Sequence, residues 1–204
     1  MAPEAVVAER TYLLLKRDVV SGRFAPGMQI IERRLAAEYG SSIAPFRDGA
    51  QRLVGEGLLE AGTGGGYRVP TLSEAGLKDL YDWHSHLIRL ALKEPAASLV
   101  FDPLVLDRAS GADAEELAKS ATAMFRAIAM RSSNGEVGRA LLAANDRLHA
   151  IRLRESYVLP NLDDELRAVM IATSSSRGQD RLAALWAYHR RRLRRVSSLA
   201  RILI

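Results

Sequence analysis

Apolar positions recur every three to four residues through most of the chain, the spacing that turns one face of an α-helix toward a core. Residues 5–20 carry Val6, Tyr12, Leu13 and Val20 between charged positions and are expected to form a first helix. The run Ser21-Gly22-Arg23-Phe24-Ala25-Pro26-Gly27 stops it, because Gly and Pro favour turns. A short helix is expected over residues 32–38, closed by Gly40. Ser41 and Ser42 are N-cap types ahead of a helix over 44–55, with Phe46, Ala50, Leu53 and Val54 on one face. Leu58-Leu59-Glu60-Ala61 and Tyr67-Arg68-Val69 read as two short strands, joined at Gly62-Thr63-Gly64-Gly65-Gly66 by a hairpin tip. Pro70-Thr71-Leu72-Ser73 then reads as a linker, with Ser73 capping the next helix.

The remainder patterns as helices over 75–100, 112–131, 135–155, 163–174 and 179–203, with Pro95 kinking or ending the first. Pro103, Gly111, Ser132-Ser133-Asn134 and Pro160 punctuate them, and no internal repeat is visible. The expected fold is mainly α. A winged helix-turn-helix with a two-stranded wing occupies residues 1–72, and an all-α antiparallel bundle occupies 73–204.

Composition narrows the picture less than pattern does. Of 204 residues 48% are hydrophobic and 26% charged, enough for a core without staples, and with no cysteine there are no disulfides or thiolate metal sites. No apolar run approaches the ~20 residues of a membrane helix, and the N-terminus lacks a secretion signal. A soluble, cytoplasmic protein with no membrane partner is expected. The net charge of +5 suggests an acidic partner, yet residues 1–74 hold nine basic and nine acidic side chains. The densest basic cluster is Arg190, Arg191, Arg192, Arg194 and Arg195, which reads either as a nucleic-acid patch or as a solvated helix face.

A helix that fits the major groove and a hairpin beside it are the working parts of a winged helix-turn-helix. The residues that form them resemble the GntR-type regulators. Ser21 to Gly27, Glu32-Arg33-Arg34-Leu35-Ala36, Ala44-Pro45-Phe46-Arg47-Asp48, Arg52-Leu53 and Glu56-Gly57-Leu58 keep the family's order and spacing. The resemblance implies a transcriptional regulator whose DNA-facing residues are Arg33, Ser42, Arg47, Gly64 and Gly65. Ser42 could cap the recognition helix, bind a phosphate, or both; the other reading of Arg33 and Arg47 is a solvated helix charge. Two departures stand out: Ile43 where the family carries Arg, and Gly49, which costs about 1 kcal/mol in a helix interior relative to Ala. The glycine-rich tip is not a phosphate loop, since it lacks the Lys-Ser/Thr ending and no helix follows it directly.

The second half is similar to the FCD ligand-binding domain of the FadR branch. The likeness rests on Asp79-Leu80-Tyr81-Asp82, Phe125-Arg126-Ala127-Ile128-Ala129 with Ser133-Asn134, Asn145-Asp146-Arg147-Leu148, Glu165-Leu166-Arg167-Ala168-Val169 and His189. Many such domains hold a divalent metal on one Asp and three His. Here the corresponding positions are Thr122, Arg126, Leu166 and His189, so no metal and no cofactor are expected. Arg126 could instead pair directly with an anionic effector, a carboxylate being the candidate, with His189 and His84 as further effector-binding residues. It could also pair with an internal carboxylate or reach solvent. His84 and His86, two apart, do not share a helix face and are no metal pair.

Catalysis is not expected: there is no G-x-S-x-G elbow, and the His149–Asp146 pair reads as surface polar contact. What the resemblance implies is a homodimer that sets two recognition helices on a palindromic duplex operator, modulated by a small-molecule effector. The alternative is a degenerate GntR-like paralogue that dimerises or binds ligand but binds DNA weakly, to which Ile43 and Gly49 point.

Overall fold

The structure, a computed structural model, describes residues 4–62, 64–93, 112–175 and 177–203. The chain divides into two compact units, Met1–Thr71 and Leu72–Ile204. Among the described residues no helix is long and apolar enough to cross a membrane.

The first unit runs α1 (Glu4–Val20), β1 (Gln29–Ile30), α2 (Glu32–Glu38), α3 (Ile43–Gly55), β2 (Glu60–Ala61) and β3 (Tyr67–Arg68). Its core gathers Tyr12, Leu15, Val19, Phe46 and Leu53 with Tyr67 of the hairpin. The inward face of α1 is set by Tyr12, Leu15 and Val19, spaced three and four apart. Val6 and Leu13, apolar in the sequence pattern, lie off that stripe and are more than half exposed. The wing is three-stranded, not two-stranded, in the order β1-β3-β2. Gln29 and Ile30 pair antiparallel with Arg68 and Tyr67, which pair in turn with Glu60 and Ala61. A strand of two residues is too short to show a period, so only the partner reveals it.

Gly49 has a packing reason. A Cβ there would lie 3.1 Å from the Cα of Tyr12, so the missing methyl lets α1 approach α3 backbone to backbone. Asp18, only 4% exposed, accepts hydrogen bonds from Tyr39 Oη (2.8 Å), Arg17 Nε (3.0 Å) and Arg23. Burial pushes its pKa up, but those three donors more than offset it and the net shift is downward.

The second unit comprises α4 (Glu74–Ala91), α5 (Ala114–Met130), α6 (Gly135–Arg152), a 3-10 turn at Glu155–Tyr157, α7 (Leu162–Ser174), α8 (Gly178–Leu193) and α9 (Val196–Arg201). Ser73 caps α4 by accepting from the Gly76 amide at 3.1 Å. The expected kink at Pro95, and the breaks at Pro103 and Gly111, lie outside the described residues. The last expected helix is two, broken at Arg194-Arg195. The helices pack as a bundle, α5 on α6, α7 on α8, and α4 on both α6 and α8. Leu80, Phe125, Leu148, Met170 and Leu199 are typical of its interior.

Candidate nucleic-acid interface and interior polar cluster

The turn into α3 depends on Gly40, whose φ of +62° is one that side chains other than Gly rarely adopt. Its chain carries on to Ser42, the N-cap residue in extended conformation, which makes no side-chain cap bond. Of the two roles expected for Ser42, the cap is therefore not formed, and the hydroxyl is exposed. Helix α3 buries Pro45, Phe46, Gly49, Ala50 and Leu53. That leaves Ile43, Ala44, Arg47, Asp48 and Gln51 on an exposed face that begins at its leading end.

Arg47 is exposed, and its Nε donates to Glu32 Oε2 at 2.7 Å. Arg33, also exposed, makes no ion pair among the described residues. Further along α3, Arg52 pairs with Glu9 at 2.6 Å and lies 3.6 Å over the Tyr12 ring. At the tip of the wing Gly64 and Gly65 are exposed, and a Cβ on either would meet open space. Arg68 of β3, which the sequence reading passed over, adds an exposed cation paired with Glu60. Tyr67 fastens the wing to α3 by accepting from Gln51 Nε2 at 3.1 Å. The five residues expected to face DNA thus share one property, exposure, and no buried role competes for them.

The helical unit corrects the sequence reading. Arg126 is exposed, because α5 turns Ala118, Ala121, Phe125, Ile128 and Ala129 inward and Arg126 sits one residue beyond Phe125. It cannot clamp a ligand inside the bundle. Among the described residues the interior cations are Arg192 and Arg152, 2% and 3% exposed. Arg192 grips Glu155 with two parallel bonds, Nε to Oε1 at 2.9 Å and Nη2 to Oε2 at 2.6 Å. Its Nη1 reaches Glu165 at 3.0 Å, and Tyr81 Oη donates to Glu155 at 2.9 Å. Burial pushes the Glu155 pKa up, and the Arg192 charge more than offsets it, so the carboxylate is held below its ordinary range. Arg191 pairs with Glu165 at 3.1 Å, and Arg190 lies 4.4 Å over the Trp186 ring. The arginine run is therefore neither one nucleic-acid patch nor one solvated face, since its central member is core.

His84 and His189, both buried, do meet: His84 Nδ1 lies 2.8 Å from His189 Nε2. His189 Nδ1 faces the Leu185 carbonyl at 2.7 Å and so must carry a proton. Burial lowers the His189 pKa to about 3 and pushes His84 well below its ordinary value, so both rings are neutral. A neutral His189 then accepts at Nε2, His84 donates from Nδ1, and His84 Nε2 is left as a bare acceptor. His189 also floors a groove of about 450 Å³ between α4 and α8, walled by Ile88, Arg89, Leu182 and Trp186. His149 is buried, not on the surface; its Nδ1 lies 2.8 Å from Thr122 Oγ1, and burial lowers its pKa to about 4.

The residues do not fit a divalent ion of the kind the resemblance would imply. Thr122 Oγ1 already takes a hydrogen bond from Arg152, Leu166 belongs to the apolar core, and Arg126 points away. Among the described residues no three His, Cys, Asp or Glu side chains come together to hold an ion.

Residues 7–69 match the model of the bacterial regulatory proteins, gntR family. The uncharacterized HTH-type transcriptional regulator YdhC of Bacillus subtilis (strain 168) is 33% identical over 106 residues, 52% of this chain and 42% of that protein. The HTH-type transcriptional repressor GlaR of Escherichia coli (strain K12) is 32% identical over 76 residues, 37% of this chain and 34% of its own. The matched stretch thus spans less than half the length of either relative. In fold, the chain is similar to a Rhodococcus sp. RHA1 structure described as a GntR regulator, with TM-score 0.72, 14% identity and coverage of 94% of this chain and 97% of the other. E. coli McbR/YncC follows, with TM-score 0.64, 16% identity and the same coverage. Residues 7–69, the unit that carries α3 and the wing, are thus similar to the gntR family of bacterial regulatory proteins.

Proposed function

We propose that this chain is a cytoplasmic, DNA-binding transcriptional regulator. Helix α3 enters the major groove of a palindromic operator, and the glycine-tipped wing follows the adjacent backbone. The observation that carries this reading is the exposed leading end of α3, where Ser42, Ile43 and Arg47 stand clear on a helix whose other face is fixed in a core. The ion pair between Arg47 and Glu32 is no obstacle, because exposed pairs contribute about 0–1 kcal/mol and a phosphate oxygen competes on equal terms. Ile43, 37% exposed, brings an apolar group to the leading end of α3 and suits a thymine methyl. The helical unit is of the FCD type in this reading. It joins two copies into a homodimer and takes a small anionic effector in its interior, near His84 and His189. Effector binding alters DNA affinity by favouring one placement of the two recognition helices.

Fluorescence anisotropy with the duplex upstream of the protein's own coding region tests the claim. Binding should weaken steeply as salt rises, and Arg47→Ala should weaken it further and lower the salt slope by about 0.9 if one phosphate contact is lost. No binding to any duplex at low salt would refute it. The degenerate reading, a dimeric ligand-binding paralogue with feeble DNA affinity, rests on Glu32 and Glu9 engaging two cations of α3. It predicts that Glu32→Gln strengthens binding to any duplex without creating preference for one.

A further inference from the structure

A pocket of about 340 Å³ lies between Pro160 and the C-terminal end of α8. Arg190, Arg191, Arg194 and Arg195 line it, and among the described residues no carboxylate does. Val158 and Leu159 give it an apolar wall. Helix α8 ends at Leu193, yet the Arg194 amide still donates to the Arg190 carbonyl at 3.1 Å. The turn is carried through, so Arg190 and Arg194 stand one above the other, and like charges so placed repel. Two of the four guanidiniums are held in place. Arg191 Nη2 donates to the Pro160 carbonyl, and its Nη1 lies 3.1 Å from Glu165. Arg190 rests over the Trp186 ring. Arg194 and Arg195, both exposed, make no ion pair among the described residues. Glu165 and Glu155 are taken by Arg191 and Arg192, so Arg190, Arg194 and Arg195 lack a carboxylate. A helix C-terminus attracts cations by itself, but its partial charge of roughly half a unit falls short of three.

We propose that this pocket binds a diphosphate group, free or carried by a nucleotide. Arginine is planar and always charged, and it meets phosphate oxygens with two parallel bonds. One phosphate monoester carries about −1.5 to −2 at pH 7, so three unmatched cations suit two linked phosphoryl groups better than one. Arg190, Arg194 and Arg195 supply the charge, and Arg191, fixed on Pro160, walls the pocket. The site shares no residue with the interior around His84 and His189, and it does not depend on the reading of α3 as a DNA-binding helix.

The test is titration of the full chain with pyrophosphate, ADP, AMP, inorganic phosphate and sulfate at constant ionic strength, with a chelator present. It is followed by calorimetry and by the fluorescence of Trp83→Phe, in which Trp186 is the sole tryptophan. Pyrophosphate and ADP should bind at one site, exclude each other, and change Trp186 emission as Arg190 is drawn from the ring. AMP, phosphate and sulfate should bind at least about tenfold more weakly, for want of the second group's charged hydrogen bonds. Arg194→Gln and Arg195→Gln should each weaken pyrophosphate binding about tenfold, the loss of one hydrogen bond to a charged group. Both side chains are exposed, so these variants keep the fold. Arg194→Lys keeps the charge but loses the fork and should also weaken binding, whereas Arg139→Gln, an exposed arginine of α6, should not. Tighter binding of ADP than of pyrophosphate assigns the group to a nucleotide, and the reverse to the free anion. Sulfate binding as tightly as pyrophosphate, or undiminished binding in both glutamine variants, would overturn the assignment. So would a duplex that changes Trp186 emission and excludes pyrophosphate, since the patch would then be a nucleic-acid contact.

Discussion

Replacing Arg192 with Met removes a cation that is 2% exposed and leaves Glu155, equally buried, with Tyr81 as its remaining hydrogen-bond donor. Glu165 is less affected, because it lies nearer solvent and keeps Arg191. Breaking a buried pair from one side costs about 3–5 kcal/mol, since the orphaned charge keeps its desolvation penalty. For a unit of about 130 residues, with unfolding entropy near 2.1 cal/mol/K per residue, that lowers the melting temperature by roughly 10–20 °C. Both tryptophans, Trp83 on α4 and Trp186 on α8, lie in this unit, so their fluorescence follows its unfolding separately from the DNA-binding domain. The pH dependence carries the sharper test. In the wild type Glu155 has a lowered pKa, so its stabilisation is present above the ordinary carboxylate range and is lost as pH falls through the folded pKa. In the variant the folded pKa is raised instead, and the penalty disappears once the acid is protonated. The two stability curves should therefore converge as pH falls below about 4.3. Adding Glu155→Gln should restore much of the loss at pH 7, with a coupling energy of about 1–3 kcal/mol. A loss under about 1 kcal/mol, or one that does not change with pH, would refute the claim that this pair carries uncompensated charge when cut.

Gly49→Ala should leave stability unchanged or reduced, because the contact with Tyr12 cancels the helix gain; urea melts showing the full ~1 kcal/mol gain would refute the close approach of α1. Asp18→Asn should cost about 1–3 kcal/mol at neutral pH. That cost should shrink as pH falls through the carboxylate range, since the lowered pKa of Asp18 makes its contribution an alkaline-side one; acid titration of the first unit by circular dichroism reads this out. His149, with its pKa lowered to about 4, stays neutral in the fold while the unfolded chain takes up a proton below about 6.5. Stability should therefore fall from pH 6.5 toward 4, and His149→Gln should flatten that slope by about one proton, or ~1.4 kcal/mol per pH unit; an unchanged slope in chemical denaturation series would count against it.

Local pattern determined a good deal of this protein. Turn residues at 21–27 and 62–66, the N-cap at Ser73 and the apolar spacing of α3 fix where the helices and the hairpin lie, because each depends on neighbours a few positions away. Exposure of Arg47 follows from the same spacing, since Phe46, Ala50 and Leu53 claim the inward face of α3. What depended on distant partners stayed hidden. Strand β1 exists only because Tyr67 and Arg68 offer an edge, and Gly49 looks like a defect until Tyr12 arrives against it. Arg192 follows Leu185, Tyr188 and His189 at helical spacing, a sign of burial that five arginines in six residues obscured. Side-chain chemistry says that an arginine prefers water, and only the fold brings Glu155 from 37 residues away to make the interior tolerable. The resemblance points to Arg126, yet a helix turns about 100° per residue, so whether Arg126 or Arg152 enters the core is settled by the helices packed around it and not by the letters beside it.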